Sequence, residues 1–223
     1  MTGVESISVI VPTLNEAGQL DRCLERLVHL PGVTEVIVSD GGSQDATLAV
    51  AARYAKIRII RGAAGRGRQM NRAARLARGR FLWFVHADSV PSPRALPALR
   101  AAIARPRTVA AALRLTLDAS GAAYRLIEQL VWLRCRWFQR PYGDQTFFVP
   151  RELFWAVGGF VEGVLMEDLY LVRALVRRGR VVTVREPVLA SARRWQTCGI
   201  LATTCRHWGM VLRDWLSGPF PLR

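Results

Sequence analysis

Three short polar clusters in this chain carry residue types suited to a charged, hydrogen-bonding small molecule. They are Pro12-Thr13-Leu14-Asn15-Glu16, Asp40-Gly41-Gly42-Ser43 and His86-Ala87-Asp88. Each alone reads as a turn; Asp-Gly-Gly-Ser also suits a turn running into a helix cap. At the ends of strands in one parallel sheet they would instead form a rim, because ligands of such sheets bind outside the strands' carboxyl ends. Carboxylates accept hydrogen bonds from neutral groups such as a base or ribose, and they hold divalent metals. Asp40 could therefore accept from a nucleobase or ribose, and Asp88 could hold Mg2+ or Mn2+ against a diphosphate. Arg66 and Arg68 could cover the remaining phosphate charge. Neither a G-x-G-x-x-G nor a Walker A pattern follows the first apolar run, which disfavours a dinucleotide oxidoreductase and a P-loop enzyme.

The surrounding apolar pattern supplies elements to position these clusters. Ile7 to Val11, Val33 to Val38, Ile57 to Ile60 and Phe81 to Val85 read as short buried strands. Between them a helical period runs through Leu20, Cys23, Leu24, Leu27 and Leu30, a second helix spans Ala46 to Ala55 with Ser43 or Asp45 as its cap, and an arginine-rich third spans Arg66 to Ala77. This alternation predicts an α/β fold with a mostly parallel sheet and helices on both faces. The second half reads as helices over Pro93 to Ala104, Ala122 to Gln139, Arg151 to Val157 and Glu167 to Arg178. Strands are expected over Val109 to Leu117, Thr146 to Val149 and Val181 to Arg185, and an amphipathic helix over Gly199 to Leu216.

Composition sets outer bounds. Of 223 residues, 51% are apolar, which excludes a disordered chain and suits one domain with a substantial core. The formal charge is +15, and Lys56 is the only lysine. Such a surplus suits an anionic partner: nucleic acid, an acidic membrane surface or a phosphorylated small molecule. Cys23, Cys135, Cys198 and Cys205 form no C-x-x-C and no zinc-ligand spacing, so neither a disulfide framework nor a zinc site is expected. The stretch from Met1 to Val11 lacks the basic start of a secretory signal, and no apolar run is long enough to span a membrane. A cytoplasmic protein is expected.

The order of motifs resembles family 2 glycosyltransferases of the GT-A fold. Ser8 to Glu16, Asp40-Gly41-Gly42-Ser43 and His86-Ala87-Asp88 are followed by Tyr142-Gly143-Asp144-Gln145, Met166-Glu167-Asp168 and Arg193-Arg194-Trp195. The likeness runs from about Ser6 to Trp195. In its details, Arg66-Gly67-Arg68-Gln69-Met70-Asn71, His86-Ala87-Asp88 and Arg193-Arg194-Trp195, it is most similar to a small bacterial subgroup associated with radical-SAM and selenocysteine-domain proteins and with arsenosugar biosynthesis.

That resemblance implies one GT-A domain over 1–223, with a nucleotide-binding half over about 1–90, an acceptor-binding half over about 91–195 and a C-terminal amphipathic helix over about 196–217. It implies transfer of a hexosyl or pentosyl group from a nucleotide-diphosphate donor to an acceptor hydroxyl, with inversion. Pro12, Thr13, Asn15, Glu16, Asp40, Gly41, Ser43, Arg66, Gln69, Asn71, His86 and Ala87 would line the nucleotide-sugar site. Asp88 would hold a divalent metal, Mg2+ or Mn2+, as the last aspartate of a D-x-D motif whose first position is His86 here. Asp168 would be the catalytic base, and Asp144, Gln145, Glu167, Arg194 and Trp195 would border the acceptor. A Q-x-x-R-W motif ends in Arg194 and Trp195, but Ser191 stands where its glutamine belongs, which weighs against a processive enzyme.

Trp132, Trp137 and Phe138 among Arg125, Arg134, Arg136 and Arg140, and Trp208 and Trp215 among Arg206 and Arg213, read either as core helices with arginine rims or as a membrane-surface contact. The second would place the protein at the inner face of the cell membrane with a membrane-held acceptor. Two rival functions remain: a basic nucleic-acid-binding protein, against which no helix-turn-helix, zinc-finger or RNP pattern appears, and a GT-A scaffold that binds a sugar nucleotide without turnover.

Overall fold

The computed structural model describes residues 6–164, 166–200 and Gly209. Its first half alternates as expected: β1 (Ile7–Thr13), α1 (Ala17–Val28), β2 (Glu35–Asp40), α2 (Thr47–Ala52), β3 (Ile57–Arg61), α3 (Arg66–Leu76) and β4 (Phe81–Phe84). There follow β5 (Ser89–Pro91), α4 (Ala95–Ile103), β6 (Thr108–Leu117), α5 (Ala122–Phe138), β7 (Phe147–Pro150), α6 (Arg151–Ala156), α7 (Glu167–Val176), β8 (Arg180–Ala190) and α8 (Arg193–Cys198). A single 3₁₀ turn, Gly143–Gln145, lies between α5 and β7.

All eight strands join one sheet in the order β3-β2-β1-β4-β7-β6-β8-β5. The β3-β2-β1-β4 half is parallel throughout. β7 enters antiparallel to both β4 and β6, β6 and β8 run parallel, and β5 closes the edge antiparallel to β8.

Strand alternation divides the core between the two faces of the sheet. Ile7, Val9 and Val11 of β1 with Phe81 and Trp83 of β4 pack under α1 and α4, meeting Leu20, Leu24, Leu27, Leu96 and Leu99. Ile10, Leu82 and Phe84 point the other way, into Met70 of α3, Phe154 of α6 and Leu171 and Leu175 of α7. Burial on both faces explains why these strands read as continuous apolar runs.

The structure departs from the sequence reading mainly at the far edge. β8 continues past Glu186-Pro187 to Ala190, well beyond the expected stop at Arg185. Pro187 is tolerated because the β6–β8 register shifts between Ala112 and Arg114, the kind of irregularity at which a strand accommodates proline. β5, only three residues long, was not foreseen. α2 is shorter than expected, and neither Ser43 nor Asp45 is its cap: Ala46 holds that position without a side-chain cap bond, while Oδ1 of Asp45, one residue earlier, accepts the Thr47 N–H at 2.9 Å. Near the C-terminus α8 comes first and Gly199 ends it with φ +81°. The helix expected up to Leu216 lies, beyond Ile200 and Gly209, outside the described residues.

Candidate functional site

The carboxyl ends of β1 and β2 meet in register, Thr13 beside Asp40. The loop after β2 is built around the Asp40 carboxylate. Oδ2 accepts the Gly42 and Ser43 N–H groups at 2.8 and 3.0 Å, and Oδ1 accepts the hydroxyls of Ser43 at 2.5 Å and Thr13 at 3.4 Å. Burial pushes the Asp40 carboxyl up, but these bonds outweigh it and hold it below the usual carboxylate range. The loop after β1 is tied to this one: Ser43 Oγ accepts the Asn15 N–H at 2.9 Å, and Asn15 Oδ1 accepts the Gln44 N–H at 2.9 Å. Asn15 sits at φ +55° to make that reciprocal contact, a conformation asparagine tolerates better than most residues.

α3 braces both loops from one side. Gln69 is buried, and its Nε2 donates to the carbonyls of Thr13 (2.7 Å) and Ser39 (2.8 Å). A Cβ at Gly41 would lie 3.0 Å from the Gln69 amide, so glycine lets the strut approach. Asn71, also buried, exchanges bonds with Phe160 and reaches Glu162 at 3.0 Å. One turn before Gln69, the Arg66 guanidinium pairs with the buried Glu167 carboxylate at the start of α7. α3 thus ties the strand-end loops to the Glu167-Asp168 corner.

The acidic centre forms where three segments meet. The loop after β4 contributes His86 and Asp88, the 3₁₀ turn contributes Gly143 and Asp144, and α7 contributes Asp168. The Gly143 N–H donates to Oδ2 of Asp168 at 2.6 Å, and the Leu169 N–H donates to Oδ1 at 3.0 Å. A Cβ on Gly143 would come within 2.8 Å of the His86 ring and 3.2 Å of Asp168 Oδ2, so only glycine fits between them. Burial raises the Asp168 carboxyl, against the pull of Arg66 and the Gly143 amide. Burial likewise lifts Asp144 to about 6; Arg134 opposes this, while Asp168 and Asp88 reinforce it. Asp144 is half-buried overall, but its Oδ1 is sealed from water and has no hydrogen-bond partner among the described residues.

Backbone strain gathers at this centre. Thr146 has φ +59° and Met166 φ +62°, both costly for residues bearing a Cβ. Thr146 is held by the Trp83 indole, whose Nε1 donates to its hydroxyl at 3.0 Å; Met166 sets the entry into α7 just ahead of Glu167.

The residues singled out in the sequence thus fall into two sets. Asn15 is exposed on the rim, while Thr13, Asp40, Gly41 and Ser43 are buried beneath it; both Asp40 oxygens are engaged by the loop, so the expected acceptance from a base or ribose gives way to a role in shaping the rim. His86, Asp88, Asp144 and Asp168 share the acidic centre beside it. Others turn inward. Gln69 and Asn71 have their amides engaged inside the fold. Gln145 is fully buried, with Nε2 on the Leu113 carbonyl and Oε1 accepting from Tyr142, Arg134 and Cys135. Trp195 is buried in a third apolar cluster with Leu115, Leu117 and Ile127. Pro12 and Ala87 are buried as well. Glu16 accepts from Arg193 at 3.3 Å, which links the first loop to the segment after β8; the Arg194 side chain lies outside the described residues.

Sequence reading missed the place of Arg134. It stacks 3.8 Å over the Tyr142 ring and bonds Gln145 Oε1 at 3.3 Å, next to Asp144. No local signal marks it, because α5 packing alone turns it inward.

Among the described residues, no three His, Cys, Asp or Glu side chains gather closely enough to enclose a metal. The half-buried Asp88 carboxylate lies close enough to Asp144, whose Oδ1 is orphaned, for its charge to bear on that carboxyl.

Comparisons with known proteins bear on the family and the fold. The family model described as Glycosyl transferase family 2 matches residues 8–161. An uncharacterized protein of Mycobacterium tuberculosis (strain CDC 1551 / Oshkosh), MT1568, is 35% identical over 98 residues, 42% of this chain and 31% of that protein. This chain therefore spans under a third of that curated relative.

Among solved structures, the mannosyltransferase PcManGT from Pyrobaculum calidifontis in complex with GDP-Man and Mn2+ superposes with a TM-score of 0.68 at 20% identity, over 90% of this chain and 64% of that one. Glucosyl-3-phosphoglycerate synthase from Mycobacterium tuberculosis, with Mn2+, UDP and glucosyl-3-phosphoglycerate, gives 0.66 at 20% identity, over 92% and 80%. TarS 1–349 of S. aureus with UDP-GlcNAc gives 0.67 at 21% identity, over 84% and 59%. At these identities the likeness is one of fold.

Proposed function

Because this chain belongs to glycosyl transferase family 2, we propose that it moves a sugar from a nucleoside-diphosphate donor to an acceptor hydroxyl with inversion at the anomeric carbon. The observation that carries the reading is the junction of two features: a rim formed by the interlocked loops after β1 and β2, and an acidic centre beside it in which Asp168 is held by the Gly143 amide. The nucleotide side comprises about residues 1–90 and the acceptor side about 91–195.

In this reading Asp40 shapes the rim that receives the base and ribose, with Thr13, Asn15, Glu16 and Ser43 around it. Asp168 takes the proton of the acceptor hydroxyl. The acceptor oxygen bonds to the anomeric carbon from the face opposite the diphosphate, the bond from that carbon to the phosphate oxygen breaks, and its electron pair leaves with the diphosphate. A base works best with a carboxyl raised towards neutrality, and burial raises Asp168 in that direction. Arg66, bound to Glu167, sits where its charge also bears on Asp168 and Asp144. Attack on the opposite face requires one base and no protein nucleophile.

A divalent cation, Mg2+ or Mn2+, would be held by Asp88 with Asp144 nearby, and it would neutralise charge on the leaving diphosphate. The PcManGT and glucosyl-3-phosphoglycerate synthase structures contain Mn2+. His86 replaces one carboxylate of the expected D-x-D pair, which makes the spot less negative and favours weaker metal retention. The narrower setting, in arsenosugar or other glycoconjugate biosynthesis, is supported by Arg66 to Asn71, His86 to Asp88 and Arg193 to Trp195.

The test is a calorimetric screen of nucleoside diphosphates with and without Mn2+, followed by donor hydrolysis on the best binder. Micromolar, Mn2+-enhanced binding of one nucleotide is the expected result. No binding of any nucleoside diphosphate would overturn the reading.

A further inference from the structure

α5 carries an apolar face that no other element among the described residues covers. Ile127 and Cys135 point into the protein, while Leu126, Leu130, Leu133 and Trp137 are exposed, Leu126 and Trp137 to 60% and 69%. Their spacing of four, three and four residues aligns them within one narrow stripe, about 16 Å long at the helical rise. Phe138, 52% exposed, lies at the same end of the helix but off the stripe, on the side of Ile127. Arg125 and Arg136 flank one edge of the stripe, and Arg140 follows just past its end. Arg125 is paired with Glu128, but Arg136 has its side chain in solvent.

We propose that this face of α5 seats on an anionic lipid bilayer. Aliphatic side chains with Trp and Phe at one end and arginines at the edge are the arrangement of an interfacial helix, whose apolar side enters the headgroup boundary while guanidinium groups meet lipid phosphates. The chain's +15 charge draws it to such a surface and repels a second copy. None of the described helices is long and apolar enough to cross a membrane, so α5 lies along the surface. Its last turn also braces the acceptor side: Arg134 and Cys135 bond Gln145, beside Asp144. Seating α5 therefore brings the acidic centre towards lipid-held acceptors, a consequence that rests on the function proposed above, whereas the seating itself does not.

The experiment is co-sedimentation of the full chain with vesicles of phosphatidylcholine, alone or mixed with phosphatidylglycerol, at low and high salt and without any sugar nucleotide. Leu130→Gln with Trp137→Gln keeps the net charge while removing half of the four-residue apolar stripe, and Leu126→Gln is a milder companion. The wild-type chain should bind the anionic vesicles, less at high salt, and the double variant should bind about ten-fold less or weaker still with its melting temperature retained. The proposal is overturned by a wild-type chain that stays in the supernatant at low salt, or by variants that bind as well as the parent. It is equally overturned by a double variant that melts lower or loses a dimer while its vesicle binding is unchanged, since the stripe would then be covered by protein. Because no donor is present, failure here leaves the transferase reading standing.

Discussion

The backbone N–H of Gly143 donates to Oδ2 of Asp168 at 2.6 Å across 25 residues of chain. Gly143 also allows the His86 ring and the Asp168 carboxylate to approach from opposite sides of the 3₁₀ turn. One residue without a side chain therefore sets how the Asp168 carboxylate, the turn bearing Asp144 and the loop bearing His86 meet.

Replacing Gly143 by Ala puts a methyl carbon 2.8 Å from His86 and 3.2 Å from Asp168 Oδ2. The packed centre cannot absorb this without moving. A loss of about 1–3 kcal/mol in urea unfolding is expected, together with a fall in donor hydrolysis larger than any fall in nucleotide affinity.

Asp168→Asn keeps the shape and removes the basic oxygen. Transfer should drop by about 10²–10⁴-fold with nucleotide-sugar binding nearly unchanged. Titration calorimetry beside product formation separates the two effects; a collapse of donor affinity would assign Asp168 to ligand binding instead.

Asp88→Ala should abolish the Mn2+ enhancement of nucleoside-diphosphate binding and leave the circular dichroism spectrum intact. Equal enhancement in variant and parent would remove Asp88 from the cation's reach.

The Asp144 carboxyl is lifted from 3.8 to about 6 by burial, against Arg134. A carboxyl raised on folding binds more protons in the native than in the unfolded state between those values. Its ionisation therefore costs stability as pH rises from about 4 to about 6, and the cost persists above that range. Asp144→Asn should be more stable than the parent at pH 7.5, on the order of 1–3 kcal/mol, with the difference vanishing near pH 4. Urea melts across that range measure it.

Asp40 has the opposite sign. Its lowered carboxyl contributes stability above the unfolded value of 3.8, and that contribution is lost as pH falls through the still lower folded value. Asp40→Ala leaves the Gly42 and Ser43 amides unpaired, and a cost of about 3 kcal/mol at neutral pH is expected. Nucleotide binding should fall with it, because the loop loses its shape.

The chain's own residue pattern determined the parallel half of the sheet. Short runs rich in β-branched residues, such as Ile7 to Val11, read as strands buried on both faces, and turn residues such as Asp40-Gly41-Gly42 mark where those strands stop. The rim is local to such strand ends, so Thr13 and Asp40 were legible as neighbours. Tertiary structure decided the rest. Whether Gln69, Asn71 and Gln145 meet a ligand or serve as struts depends on which way a helix or turn is rotated in packing, and one sequence carries no signal for that rotation. β8 runs through Pro187 because a register shift against β6, far away in sequence, removes the need for its missing N–H. The Asp144 carboxyl rises because its turn is packed against β6 and β8 with Asp168 and Asp88 nearby, and Arg134 arrives there from α5 by the same folding. Burial and charge proximity are properties of three-dimensional neighbours, and those neighbours exist only once the chain has folded.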